Sequence, residues 1–378
     1  RSRGLGDVYK RQKVCYIFFK EHYFKEISME AKRKITAALD DGTGDYIVQK
    51  ILFPDIFEGS AIINIKSSGI CGSDLHMTNE RTEPQSIPSG HEIAGIIEEL
   101  PNSYEGYLQV GDRVAIDNIG AGKSCNTCYF CRYGQFRHCV NPAEETGGGF
   151  SEYITRKPNG LFKISDDMDW NDGALVEPMA VSVHGFRFAN FLPGEVVAVV
   201  GSSTIGLSSI AVAKYFGAKT VIASAKYPQQ AEAAKKMGAD FVVSAEPGHL
   251  EEKCFELTNG IGVDIVVETI GGTSAGPLVQ AAKCVKNTGK VIVLGGFRNP
   301  VEIDFLQPMI KEISFIPATC YANINGKHDF EIAVDILASG KHPYKEIVTH
   351  EYSLEDIQEG FKTAYDKTSG SIKVHIRQ

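Results

Sequence analysis

From residue 196 onward, short runs of β-branched residues alternate with stretches of helical spacing, and few architectures accept that pattern. VVAVVG (196–201) is a continuous apolar run, as expected of a strand buried on both faces. A helix is expected over 207–216, ending before Gly217, and KTVIAS supplies a second strand. A second helix is expected over 229–237, ending before Gly238. DFVVS, DIVVET and KVIVLGG repeat the strand pattern with helical stretches between them. Strands alternating with helices predict an α/β unit with a doubly wound parallel sheet and right-handed crossovers.

The sequence upstream reads differently. Residues 47–70 are rich in Ile and Phe and are punctuated at Pro54 and Gly59, which predicts short strands with turns. SGICGSDLH (68–76) opens a turn or short helix. GHEIAGIIEEL, VGDRVAI and GGGFSEYI (147–154) continue the glycine-punctuated strand pattern. Residues 124–139 show neither period and read as a loop. A helix is expected over 169–188, with Asp172 in its first turn. After Ala318 the reading is a helix over 330–337, a strand over 347–350, a helix over 354–364 and a final strand over 371–376. There is no internal repeat.

The chain has 378 residues, enough for two or three domains at about 150 residues each. Lys plus Arg number 39 against 47 Asp plus Glu, giving a formal charge of −8. That excess of acid excludes a general nucleic-acid or anionic-membrane binder. No apolar run approaches the roughly 20 residues of a membrane span. Residues 1–28 fit neither a signal nor a transit peptide, because VCYIFF is too short and Asp7, Glu21 and Glu26 are present. RSRGLGDVYKRQ resembles a translated linker. Residues 1–28 are therefore expected to be a non-native or disordered extension, with the biological chain starting at Met29.

Four of the nine cysteines, Cys125, Cys128, Cys131 and Cys139, have the spacing Cys-x2-Cys-x2-Cys-x7-Cys. Neighbours this close make poor disulfide partners, but four thiolates closing a tetrahedron suit a structural zinc. An odd cysteine total with one dense cluster fits a reducing, cytoplasmic compartment better than a secreted disulfide framework.

VVAVVGSSTIGL places Gly201, Ser203 and Gly206 in a G-x-G-x-x-G frame, with Ser203 replacing the middle glycine. Such a turn presents backbone amides at a helix N-terminus to a pyrophosphate, so Gly201, Ser203, Thr204, Ile205 and Gly206 are candidate cofactor contacts. NAD sites usually place an acid roughly 20 residues further on, at the end of the second strand. Here that strand ends Ser224-Ala225-Lys226, and no acid occurs between Gly206 and Glu232. A hydroxyl and a lysine can accept the 2′-phosphate that an acid would repel, so NADP is favoured, with NAD as the alternative.

GICGSDLH, GHEIAG, VGDRV, the four-cysteine lobe, VEPMAVSVH and the glycine turn occur together in one order. In this the chain resembles the zinc-dependent medium-chain dehydrogenase family over essentially Met29 to Gln378. GGGFSEY and Glu177-Pro178 resemble most its polyol branch, the sorbitol, butanediol and threonine dehydrogenases. The resemblance implies a mainly β GroES-like catalytic domain built from 29–181 and 320–378, with a Rossmann cofactor domain over 182–319 between them. It implies that Cys71 and His91 ligate a catalytic zinc, that Glu92 can ligate it directly, and that Glu177 binds it directly or through water. It also implies a proton relay in which Ser73 takes the alcohol proton, the cofactor ribose passes it on and His76 releases it to solvent. The expected reaction is hydride transfer between the cofactor and a secondary alcohol or polyol and its ketone, in a homo-oligomer, dimer or tetramer. The alternatives are an NAD-dependent primary alcohol or L-threonine dehydrogenase and, in another class, a catalytically silent dinucleotide-binding protein. Primary-alcohol enzymes are expected to carry Cys where this chain has Glu177. The stretch 318–325, ATCYANIN, is expected to line the substrate cleft.

Overall fold

The computed structural model describes residues 33–378. The expected start at Met29 and the extension over 1–28 lie outside the described residues. Strands β1 (Lys34–Asp40) and β2 (Tyr46–Leu52) pair as an antiparallel hairpin. Strands β3 (Ala61–Gly69), β4 (Glu92–Glu99), β5 (Arg113–Asp117) and β7 (Leu161–Lys163) follow one another in an antiparallel sheet, with β6 (Tyr153–Arg156) also on β3. Helix α1 (Gly72–Glu80) leaves the end of β3.

The 124–139 stretch is more ordered than its lack of period suggests. It holds a one-turn helix, α2 (Tyr129–Arg132), and a 3-10 turn (Phe136–His138). Both lie between the cysteines, where tight turns bring the sulfurs together.

Helix α3 (Trp170–Phe188) joins the two halves of the molecule. Asp169 caps it by accepting the Asn171 amide at 2.8 Å. It is buried on nearly every side, as a helix wedged between two domains must be. Gly173 lets it approach β4, since a Cβ there would lie 2.8 Å from that of Ala94. On its other side the Ser182 hydroxyl meets that of Ser208 at 2.5 Å.

Strands β8 (Val196–Val200), β9 (Thr220–Ala225), β10 (Phe241–Ser244), β11 (Val263–Glu268), β12 (Val285–Val293) and β13 (Ser314–Pro317) form one parallel sheet in the order β10-β9-β8-β11-β12-β13. Helices α4 (Thr204–Tyr215), α5 (Pro228–Lys236), α6 (His249–Leu257), α7 (Gly276–Cys284) and α8 (Leu306–Ile310) connect them. Val197 and Val199 enter one core and Ala198 and Val200 the other, which explains the unbroken apolar run. The strand order reverses between β8 and β11, so a crevice opens beyond their carboxyl ends. Helix α4 begins at Thr204, three residues before the expected start at 207, because the glycine turn itself supplies the first helical turn.

A short hairpin, β14 (Asn323–Ile324) and β15 (Lys327–His328), leads into α9 (Asp329–Ala338). Strand β16 (Val348–Ser353), helix α10 (Ile357–Tyr365) and strand β17 (Lys373–Arg377) end the chain. β17 inserts between β16 and β3, so the last strand joins the sheet built by the N-terminal part of the described chain.

Candidate active site

Strands β3 and β4 are antiparallel, with Gly69 opposite Glu92. Cys71 leaves β3 as the N-cap of α1, and His91 enters β4. The register thus brings to one end of the sheet two side chains that sequence spacing leaves unrelated. A Cβ on Gly69 would lie 2.0 Å from Glu92 Oε2, so a glycine is required where the carboxylate crosses the neighbouring strand.

One ligand atom from each of Cys71, His91 and Glu92 lies within 4.8 Å of the others. A thiolate, an imidazole and a carboxylate form a three-donor set that fits a zinc ion with one position left open. Glu177 stands outside this group. It projects from α3 and is 5% exposed, and burial pushes its carboxyl up to about 7 against the pull of His91.

Two further side chains organise the cluster. Asp74 Oδ2 accepts the Cys71 amide at 2.9 Å, and its Oδ1 faces His91 Nδ1 at 3.7 Å. A carboxylate on the second nitrogen of a ligating histidine fixes the ring and raises its basicity. Burial alone would push the His91 imidazole down, but Asp74 and then Cys71 hold it well above its ordinary value. Lys373, from β17, forms a buried ion pair with Glu92 and donates to the Ile70 carbonyl at 3.0 Å. Sequence reasoning missed both. Asp74 carries a usable signal, an acid three residues after a helix N-cap. Lys373 carries none, because only the pairing of β17 with β3 brings it near.

Ser73 and His76 lie on α1 three residues apart, on neighbouring positions of one helix face. Ser73 is half-buried beside Cys71, and His76 is exposed.

In the lobe, Cys125, Cys128, Cys131 and Cys139 offer four sulfurs within 4.8 Å of one another. Cys131 Sγ lies 3.9 Å from Cys125 Sγ and 3.4 Å from Cys128 Sγ. Tetrahedral zinc with Zn–S bonds of about 2.3 Å sets such separations near about 3.8 Å, so the set fits a closed structural site. The Thr127 hydroxyl and neighbouring amides pull the Cys125 thiol down to about 5, toward the thiolate a metal needs.

At the cofactor turn Gly201 has φ +93°, and a Cβ on Gly206 would lie 2.0 Å from the Gly201 carbonyl oxygen. Both glycines are therefore fixed by the turn. Ser203 is the exposed N-cap of α4 and its side chain makes no capping bond, which leaves its hydroxyl at the helix N-terminus. Thr204 and Ile205 are half-buried, and the Tyr344 hydroxyl donates to the Thr204 carbonyl at 2.9 Å.

Ser224 corrects an expectation. Its hydroxyl is not open to a phosphate: it is 1% exposed and accepts the Gly201 amide at 3.0 Å, bracing the turn. Ala225 is buried as well. Lys226 is exposed and has no carboxylate partner among the described residues. Of the stretch 318–325, all but Cys320 line a cavity of about 640 Å3 that also touches the lobe and α3.

Comparison with known proteins agrees with this geometry. Residues 58–166 match the model of the alcohol dehydrogenase GroES-like domain, and residues 204–339 match that of zinc-binding dehydrogenases. The sorbitol dehydrogenase of Bacillus subtilis is 32% identical over 91% of this chain and 97% of its own length. The crystal structure of an Escherichia coli oxidoreductase/dehydrogenase of unknown specificity superposes with a TM-score of 0.81 at 27% identity, covering 91% of this chain and 99% of the other. A zinc-binding dehydrogenase from Sinorhizobium meliloti, bound to NADP, superposes with a TM-score of 0.79 at 25% identity over 92% and 100% of the two chains.

The chain belongs to the zinc-dependent medium-chain dehydrogenase family. A GroES-like part and a Rossmann-type part make up its fold, and its reaction is a nicotinamide-linked oxidation of CH–OH donors. Within the family it falls in the polyol branch. No helix of the described residues is long and apolar enough to cross a membrane.

Proposed function

We propose that this chain interconverts a secondary alcohol or polyol and its ketone with a preference for NADP, using Cys71, His91 and Glu92 to hold the catalytic zinc. The observation that carries this reading is the meeting of those three donors within 4.8 Å. Cys125, Cys128, Cys131 and Cys139 hold a second, structural zinc. A zinc held by Cys71, His91 and Glu92 would supply Lewis acidity, and a nicotinamide held at the glycine turn would supply the hydride chemistry. Asp74 orients His91 through Nδ1, and Lys373 steadies Glu92. Glu177 stands by as a protonatable carboxyl. Ser73 Oγ takes the substrate hydroxyl proton, and the exposed His76 imidazole delivers it to solvent. Gly201, Ser203 and the amides opening α4 receive the pyrophosphate.

With Ser224 buried against the Gly201 amide, the NADP preference rests on Lys226 and on the lack of an acid at the end of β9. The catalytic part comprises 29–181 and 320–378 and the cofactor part 182–319, a division supported by the place of β17 beside β3. Free cysteines and the thiolate lobe support a reducing, cytoplasmic setting. A homo-oligomer is supported by the edge strand β13 and the exposed Phe305, Leu306, Met309 and Ile310 beside it.

Two measurements test the reading. Metal analysis is expected to find two zinc ions per chain, and a content of zero would favour a silent dinucleotide binder. In steady-state kinetics with a panel of polyols, diols, hydroxy amino acids and primary alcohols, kcat/KM is expected to favour NADP over NAD. Lys226→Glu should shift that ratio toward NAD by about 10-fold or more, the worth of one charge-assisted contact. A wild-type preference for NAD would refute the cofactor assignment.

A further inference from the structure

The cavity beside Tyr321 has an unusual lining. It presents two arginines and two histidines and no carboxylate, in a chain whose formal charge is −8. Two of those side chains are already engaged. Asp329 accepts from Arg187 and pairs with His184 Nδ1 at 2.9 Å. Arg137 is different: it is exposed on the lobe, and among the described residues it has no carboxylate partner.

Tyr321 lines the same cavity. It is 2% exposed, and the Glu177 carboxyl lies within reach of its hydroxyl, although the two make no well-formed hydrogen bond. Glu177 and His184 are seven residues apart on one face of α3, roughly 10 Å along the axis, so the helix runs from the cluster's surroundings into the cavity.

We propose that Arg137 is a specificity-determining residue that binds an anionic group, a carboxylate or a phosphate, on the far end of a hydroxylated substrate whose reacting carbon sits at Cys71, His91 and Glu92. This rests on the dehydrogenase reading of that cluster. A guanidinium matches either anion with two parallel hydrogen bonds. The amides of Gln135, Asn323 and Asn325 line the same cavity and can pair with the intervening hydroxyls. A neutral polyol can satisfy the amides but offers Arg137 no anion, so it forgoes the charge-assisted pair that an anionic substrate makes.

The test uses a neutral polyol, the sugar acid of equal length and the polyol phosphate. In the zinc- and NADP-loaded enzyme, kcat/KM is expected to favour one of the anions over the neutral polyol by about 10-fold or more, the range for a hydrogen bond to a charged group. In Arg137→Gln that ratio should collapse toward one, mainly through KM, which a merely structural effect on the lobe would not produce. The two anion arms separate carboxylate from phosphate as the natural group. Calorimetric binding of both anions to the same protein repeats the comparison without turnover. Turnover of the neutral polyol with equal binding and equal kcat/KM for the anions overturns this inference and leaves the dehydrogenase reading intact. Anion binding that depends on Arg137, with no compound turned over, would keep the anion contact but overturn the placing of the reacting carbon at Cys71, His91 and Glu92. A variant that lowers neutral and anionic substrates alike also overturns it.

Discussion

Cys71→Ser and His91→Ala are each expected to lower kcat by at least about 10^3-fold, because a Lewis acid contributes several kcal/mol to the transition state and each 1.36 kcal/mol is tenfold. Zinc content should fall from two ions per chain to one, since the lobe sulfurs are a separate set. The fold should survive. Cys71 and His91 sit where the chain leaves β3 and enters β4, while the strands are held by Ile63, Ile65, Ile93 and Ile97 in the core behind them. Unchanged circular dichroism with one zinc and no turnover is the expected signature. Full activity in a Cys71→Ala protein whose catalytic position holds no metal would sink the mechanism.

The cofactor half of the fold was readable because its central strands, β8, β9 and β11, are buried on both faces. Nothing polar interrupts Val196–Val200, and glycines punctuate the helix ends. The other half was harder. β16 is an edge strand paired only with β17, so its polar residues past His350 extend it without an apolar period to announce them. The lobe has no period because cysteine spacing, rather than hydrophobic burial, sets its turns. The four thiolates could be read from spacing alone. Cys71, His91 and Glu92 could not, because strand register joins them, and only the family resemblance named them. Ser224 misled the reading for a related reason: its place at the end of β9 was legible, but the direction of its hydroxyl depends on the Gly201 amide across the sheet.

Lys373→Met is expected to destabilise the metal-free protein by about 3–5 kcal/mol, the usual result of stranding one member of a buried ion pair. Lys373 and Glu92 are 2% and 1% exposed, so water cannot replace the lost partner. Burial pushes the Lys373 amine down, but Glu92 and Cys71 together hold it above its ordinary value. Met keeps the length of the side chain while removing its charge and its bond to the Ile70 carbonyl. Adding Glu92→Gln to the Met variant should recover much of the loss, because neither residue is then an unpaired charge. Zinc changes the balance. If Glu92 faces the ion, the cation takes over part of the work of Lys373, and the cost of Lys373→Met should shrink in the zinc-loaded protein. Urea melts of the wild type and the three variants, with chelator and with zinc, measure this as a double-mutant cycle. A cost for Lys373→Met that is the same with and without metal would mean that Glu92 answers only to the lysine, leaving Cys71 and His91 to hold the ion with a third ligand from elsewhere.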